Sequence, residues 1–266
     1  MGITKIEYEK LKMERLGETN VNNKGYPMKI IEYNNVNNII VEFLDKYKAK
    51  VHTSYQCFLS GGIKNPYAPS VCGVGMIGNK YPARIKYKNT KEYKVWHNML
   101  RRCFNKKEKE RRPTYQNVSV CKEWLLFENF YEWLHSQENF EKWYSGFRWS
   151  IDKDILVKGN KIYSPETCCL VPNEINTLFE RKENQRGKYP IGVSKTKNGY
   201  SATCSNPYGN TARWLGTYYT VEEAFQVYKK YKENLIKQIA EIEHNNGNIT
   251  KKCYDAMLRY EVEITD

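Results

Sequence analysis

Apolar residues along the chain switch between helical and alternating periods, and the switches mark out its elements. Ile6, Leu11 and Leu16 stand among Lys and Glu, which predicts a short helix within about residues 3–20. Asn20 to Gly25 is rich in turn formers. Met28 to Tyr33, Ile39 to Phe43 and Lys48 to Tyr55 then read as strands separated by Asn-rich turns. Pro82 to Thr90 reads as a basic connector. Tyr93, Trp96, Leu100 and Cys103 recur at spacings of three and four, which predicts a helix over 91–104. Lys106 to Pro113 reads as a charged loop and Val118 to Cys121 as a short extended piece. A second helix is expected from Lys122 to about Gln137, with Trp124, Phe127, Phe130, Tyr131 and Leu134 inward.

Further on, Ser150-Ile151-Asp152 predicts a strand, Lys158 to Lys161 a turn and Tyr163 to Val171 a return, before a helix beginning near Asn173. Tyr189 to Ser194, Tyr200 to Cys204 and Arg213 to Gly216 read as three strands, the first two joined at Asn198-Gly199. Thr220-Val221-Glu222-Glu223 is a capping box that opens a helix. That helix has Ala224, Tyr228, Tyr231, Leu235 and Ile239 on one face, and a last helix is expected near Thr250 to Tyr260.

Charge turns this outline toward function. The 266 residues carry 43 Lys and Arg against 30 Asp and Glu, a net charge of +13. Such an excess favours polyanions, because bound Lys and Arg release counterions from phosphates. The excess is local: Arg84 to Tyr115 holds twelve basic and three acidic residues, and Arg181 to Leu215 holds seven basic and one acidic. No apolar run reaches the roughly 20 residues of a membrane span. The start, Met1-Gly2-Ile3-Thr4-Lys5, has no apolar signal region, so a cytoplasmic protein is expected. Eight cysteines without a C-x-x-C pair read as core thiols rather than a zinc site. The run Gly73-Val74-Gly75-Met76-Ile77-Gly78 lacks the P-loop pattern and is not expected to cradle phosphate.

Trp96, Met99, Arg102 and Cys103, then Val120-Cys121-Lys122-Glu123-Trp124, then Ile151-Asp152-Lys153-Asp154-Ile155 with Tyr163-Ser164-Pro165-Glu166 and Asn173 to Asn176, together resemble the HNH-like domains of phage-encoded endonucleases. The resemblance implies a ββα support that presents a general base and a divalent ion to a phosphate, in the cytoplasm of a bacterial host. This chain departs from the pattern at the base, where Lys153 follows Asp152 and no histidine adjoins it. Lysine is a poor base unless burial lowers its pKa. The candidate catalytic residues are therefore Asp152, Lys153, Asp154 and Asn176, with Glu166 and Asn173 nearby. Asp152 and Asp154 are the candidate ligands for Mg²⁺, placed on one face if the strand continues through both. Val41-Glu42-Phe43, Lys64-Asn65-Pro66-Tyr67 and the glycine run resemble the N-terminal module of many phage proteins, where Lys46, Lys48, Lys50, Lys64 and Tyr67 are candidate phosphate contacts.

Ile191-Gly192-Val193-Ser194, Asn198-Gly199, Tyr200-x-Ala202, Arg213-Trp214-Leu215-Gly216 and Thr220-x-Glu222-Glu223-Ala224-Phe225 resemble the APETALA/ethylene-response-factor DNA-binding domain. That resemblance implies a sheet that reads double-stranded DNA. It points to Lys188, Lys195, Lys197, Tyr200, Arg213 and Trp214 as nucleic-acid contacts, joined by Arg101 and Arg102 of the central stretch.

The whole reads as an α+β chain in three parts: 1–82, an N-terminal helix with a small β module; 83–180, an HNH-like centre with flanking helices; and 181–266, a three-stranded sheet on a helix. Three functions stay open: a metal-dependent DNA endonuclease, a silent DNA-binding regulator, or a counter-defence protein that blocks a host immune complex.

Overall fold

The computed structural model describes residues 5–146, 148–180, 188–209 and 211–266. Its contacts divide the chain into two units, 1–111 with 122–131 and 112–121 with 132–266. It is 38% helix and 23% strand in separate small sheets, which makes it α+β. The basic residues at 181, 182 and 186 fall outside the described residues.

The first unit opens with α1 (Lys5–Arg15) and a four-stranded antiparallel sheet in the order β1-β2-β3-β4. Its strands are β1 (Thr19–Val21), β2 (Pro27–Asn35), β3 (Asn38–Phe43) and β4 (Lys50–Thr53). Every second residue of β3 is buried, so Ile39, Val41 and Phe43 face the core, as alternation requires. In β2 the register shifts between Ile30 and Glu32, and the extra residue puts Tyr33, not Glu32, inside with Met28 and Ile30. A short helix, α2 (Tyr55–Leu59), adds Phe58 to this core.

Residues 82–90 are not a plain connector. They form a tight hairpin of β5 (Arg84–Ile85) and β6 (Lys88–Asn89). It leads into α3 (Lys91–Phe104), capped by the Thr90 hydroxyl accepting from Tyr93 N. The inward face of α3 is Tyr93, Trp96, Met99, Leu100 and Cys103, and the Trp96 indole donates to Trp124 O at 2.7 Å. The expected charged loop begins with a turn and a half of helix, α4 (Lys106–Arg111), tied by Arg111 to Glu108 at 2.9 Å.

In the second unit, β7 (Ser119–Val120) pairs in parallel with a later strand. Residues 122–131 return to the first unit, and there the aromatic helix α5 (Phe127–His135) starts later than its periodicity implies. Glu123–Leu125 make a tight helical turn, and Leu126 is extended because Met76 N and O bond Leu125 O and Phe127 N at 2.8 and 2.9 Å. A further helix, α6 (Phe140–Ser145), follows.

Then come β8 (Trp149–Asp152), β9 (Ile162–Tyr163), which is the partner of β7, β10 (Cys169–Pro172) and α7 (Asn173–Leu178). The return strand against β8 is thus β10; residues 164–168 turn between β9 and β10. The C-terminal sheet has the order β11 (Val193–Thr196), β12 (Gly199–Cys204), β13 (Arg213–Tyr218). β11 begins only at Val193 because Val193 N turns back to Pro190 O and Gly192 sits at φ +77°. A Cβ at Gly192 would lie 2.0 Å from the Tyr228 ring, so glycine lets the turn close on the next helix.

That helix, α8 (Val221–Asn245), starts with the expected capping box, Thr220 to Glu223 N and Glu223 back to Thr220 N. It buries Ala224, Tyr228, Leu235 and Ile239. With α9 (Lys251–Leu258) it closes one core that also holds Ile155, Cys169, Val171, Ile175 and Leu178. The hairpin around β8 and β10 and the sheet-helix module therefore share a single apolar interior.

Candidate nucleic-acid interface

Register assigns the faces of the C-terminal sheet. Ala202 and Cys204 of β12 are in the core under α8, so their directly opposed residues, Val193, Gly216 and Arg213, lie on the same side. Ser194, Ser201, Thr203, Trp214 and Thr217 form the other face. A bulge makes Leu215 an extra residue between the Thr203–Trp214 and Ala202–Gly216 pairs; it turns Leu215 toward the core and Trp214 outward. On this face Ser194 and Thr217 are exposed, Thr203 is half-buried and Ser201 is buried, and its one large ring, Trp214, is 65% exposed.

By the same register Lys195, opposed to Tyr200, and Arg213, opposed to Cys204, belong to the α8 side of the edge strands, and only the turn residue Lys197 adjoins the outer face. Lys195 pairs with Tyr200 and lays its ammonium 4.1 Å from that ring. Lys197 is exposed in the two-residue turn between β11 and β12. Arg213 is exposed, with its guanidinium 5.3 Å from the Tyr231 ring of α8. Lys188 is exposed, its ammonium 5.6 Å from the Tyr189 ring. Aromatic faces thus hold three cations at the sheet's margin without neutralising them. Arg101 and Arg102 belong to the first unit. Arg101 lies 3.9 Å from Glu108, and Arg102 donates from Nε to Asn98 O. Tyr67, a candidate in the N-terminal module, is turned to structural use: its hydroxyl donates to Glu128 and its ring stacks on Tyr47 at 4.2 Å.

Asp152, Lys153 and Asp154 do come together, but not as two carboxylates on one strand. β8 ends at Asp152, whose Oδ1 accepts Asp154 N and Ile155 N at 2.8 Å each. This is the side-chain-to-backbone turn Asp favours, and it bends the chain before Asp154. Asp152 is 7% exposed. Burial, then the neighbouring Asp154 charge, pushes its carboxyl up to about 7. Lys153 Nζ lies 3.1 Å from Asp154 Oδ2. Mg²⁺ requires carboxylate oxygens with open water positions. Here one oxygen of Asp152 holds two peptide N–H groups and Asp154 holds an ammonium, so the pair does not fit that ion. Asn176 is half-buried on α7 and, among the described residues, makes no hydrogen bond to the three. Asn173 accepts from Ser150 Oγ at 2.5 Å, and Glu166 is exposed.

Cys103 and Cys168 are buried in different units, and burial pushes the Cys168 thiol up to about 12. Among the described residues no group of three or more His, Cys, Asp or Glu is arranged to hold a metal ion. Among the described residues no helix is long and apolar enough to cross a membrane.

Two features were not read from sequence. The glycine run does build an anion cradle, but the anion is internal: Asn79 N and Lys80 N donate to Glu128 Oε1 at 2.7 and 2.6 Å. Gly78 (φ +78°) makes this approach possible, since a Cβ there would stand 2.3 Å from the Glu128 carboxyl. The second is a cavity of about 360 Å³ lined by Lys142, Trp149, Glu174, Tyr208, Glu243 and Asn248. With two carboxylates to one ammonium it is an unsuitable place for phosphate. Burial and the adjoining Glu243 raise the Tyr208 hydroxyl's pKa.

The chain is similar to two plant proteins. The ethylene-responsive transcription factor ERF116 of Arabidopsis thaliana is 43% identical over 49 residues, 18% of this chain and 17% of that protein. The ethylene-responsive transcription factor ERF117 of the same plant is 28% identical over 114 residues, 38% of this chain and 34% of that protein. The chain thus spans about a third or less of these relatives. No protein-family model matches it, and no solved structure does.

Proposed function

We propose that the protein binds double-stranded DNA with the outer face of its β11–β13 sheet. The observation that carries this is Trp214, an exposed indole set by a bulge into a face that carries small hydroxyl side chains, with Lys197 exposed in the adjoining turn and Lys195 and Arg213 exposed on the two edge strands. Small hydroxyls let a sheet approach a groove closely and supply neutral hydrogen bonds, while long cationic side chains on the edge strands and in the turn reach past the sheet's edges to phosphates. The similarity to ethylene-responsive transcription factors and the net charge of +13 support the same reading.

The Asp152 turn takes a structural part in this reading: it ends β8 and locks the hairpin on which the shared core is built. No cleavage step is assigned to it. The protein is then a DNA-binding regulator rather than a nuclease.

The test is duplex binding by fluorescence anisotropy over a salt series, with supercoiled plasmid and Mg²⁺ run alongside. Binding that weakens steeply with salt and falls in Trp214→Ala, with the plasmid uncut, is the expected result. Salt-insensitive binding, or none, would remove the proposal. Nicking abolished by Asp152→Asn would return the chain to the endonucleases.

A further inference from the structure

The β5–β6 hairpin is built like an aromatic finger. Arg84 pairs with Asn89 and Ile85 with Lys88, leaving Lys86 and Tyr87 as a two-residue loop. Both loop residues have positive φ, 46° and 65°. Positive φ at both positions is the type I′ turn, whose twist suits a tight hairpin. That turn ordinarily takes Asn-Gly, and a ring-bearing residue in the left-handed region is an outlier. Nothing in the turn's own geometry calls for Tyr or Lys. The backbone is kept in a costly conformation while the side chains that cause the cost are turned outward.

Those side chains are the point of interest. Tyr87 is 102% exposed and Ile85 57%. Arg84, Lys86 and Lys88 are exposed beside them, with no acidic residue in the hairpin. The root is firm: Thr90 N and Oγ1 bond Ala83 O at 3.0 and 3.4 Å, and the same Thr90 caps α3. Arg84 Nε donates to Asn89 Oδ1 at 2.9 Å and stiffens the stem. A rigid stem, a bare ring at the tip and three cations around it match one kind of occupant, a polyanion carrying flat apolar surfaces. A protein surface offers the first or the second; nucleic acid offers both together.

We propose that this hairpin is a second DNA contact, in which Tyr87 packs against the bases of a duplex while Lys86 and Lys88 meet the phosphates beside it. The proposal rests on the DNA-binding reading above, but on residues of the other unit, so the two can fail separately.

The informative variant is Lys86→Asn with Tyr87→Gly. It installs the pair the turn prefers, so the protein should melt at a higher temperature than the parent, and it removes the ring and one cation. Duplex affinity of the full chain should fall about tenfold or more, and the salt dependence should shrink by about one phosphate contact. A fluorescent base analogue in the duplex should respond to the parent protein and not to Tyr87→Ala. If the double variant melts higher and binds as the parent does, the finger is removed. Trp214→Ala on the same duplex reports on the sheet alone: loss there with none in the hairpin variant leaves the sheet and removes the finger, and the opposite pattern leaves the finger. Tyr87-dependent binding to single-stranded RNA, with none to duplex DNA, would overturn the duplex assignment.

Discussion

Arg213 and Trp214 are neighbours in sequence and stand on opposite faces of the same sheet. Arg213 is opposed to Cys204 and rests over Tyr231, whereas Trp214 is opposed to Thr203 and faces away from α8. Their substitutions should therefore separate. Trp214→Ala removes an exposed ring and should change stability by no more than about 0.5 kcal/mol. Its cost should appear in binding, as a loss of about fivefold to a hundredfold in duplex affinity. Arg213→Ala should lose about 0.5–1 kcal/mol of stability with its cation–π contact. It should also flatten the salt dependence of binding. Urea unfolding and anisotropy titrations on the same preparations check both.

Asp152 should give stability an unusual pH dependence. Its carboxyl is held up at about 7 in the fold, against 3.8 for the free group. A raised carboxyl favours the protonated folded state, so its contribution is fully present below about pH 4 and is lost as pH rises through 7. Asp152→Asn keeps the oxygen that accepts Asp154 N and Ile155 N and removes the buried charge. At pH 8 the variant should be more stable, on the order of a few kcal/mol, and its stability should be flatter between pH 4 and 7. Thermal unfolding across that range decides; a less stable variant at pH 8 would contradict the assignment.

Gly192→Ala should damage the sheet module, because the added methyl meets the Tyr228 ring at 2.0 Å and the backbone is at φ +77°. A loss of about 2–4 kcal/mol is expected, seen as a lower urea midpoint. If the midpoint holds, the contact between the Ile191-Gly192-Val193-Ser194 segment and α8 is looser than described.

In the first unit, Glu128→Ala should cost about 2–3 kcal/mol, since it removes the carboxylate that accepts from Asn79 N and Lys80 N. Glu128→Gln retains an oxygen for the two N–H groups and should cost less. Comparison of the two by urea unfolding separates acceptor loss from charge loss.

Much of this architecture was written locally. Thr90 and the Tyr93-Trp96-Leu100-Cys103 spacing place α3, and Thr220 with Glu223 places the start of α8, because caps and periodicity act within a few residues. The misread places are those where a distant partner intervenes. Met76 holds Leu126 extended and delays α5. A side-chain bond from Asp152 turns the chain where alternation would have continued a strand. The 84–89 hairpin was hidden because Lys-Tyr is not a turn dipeptide. At the site, Trp214 and the flanking cations were legible as residue types. Their division between two faces was not, since it depends on the bulge at Leu215 and on register.

The shared interior of the second unit bears on how its β11–β13 sheet can be exchanged. Val171, Ile175 and Leu178 from one segment and Ala224, Ile236 and Met257 from another fill the same space. A cassette cut before β11 would carry away half a core and leave the other half facing water. Moving this sheet into a new host, by engineering or by recombination, demands a seam upstream of β8, so that the hairpin and the sheet travel as one heritable piece.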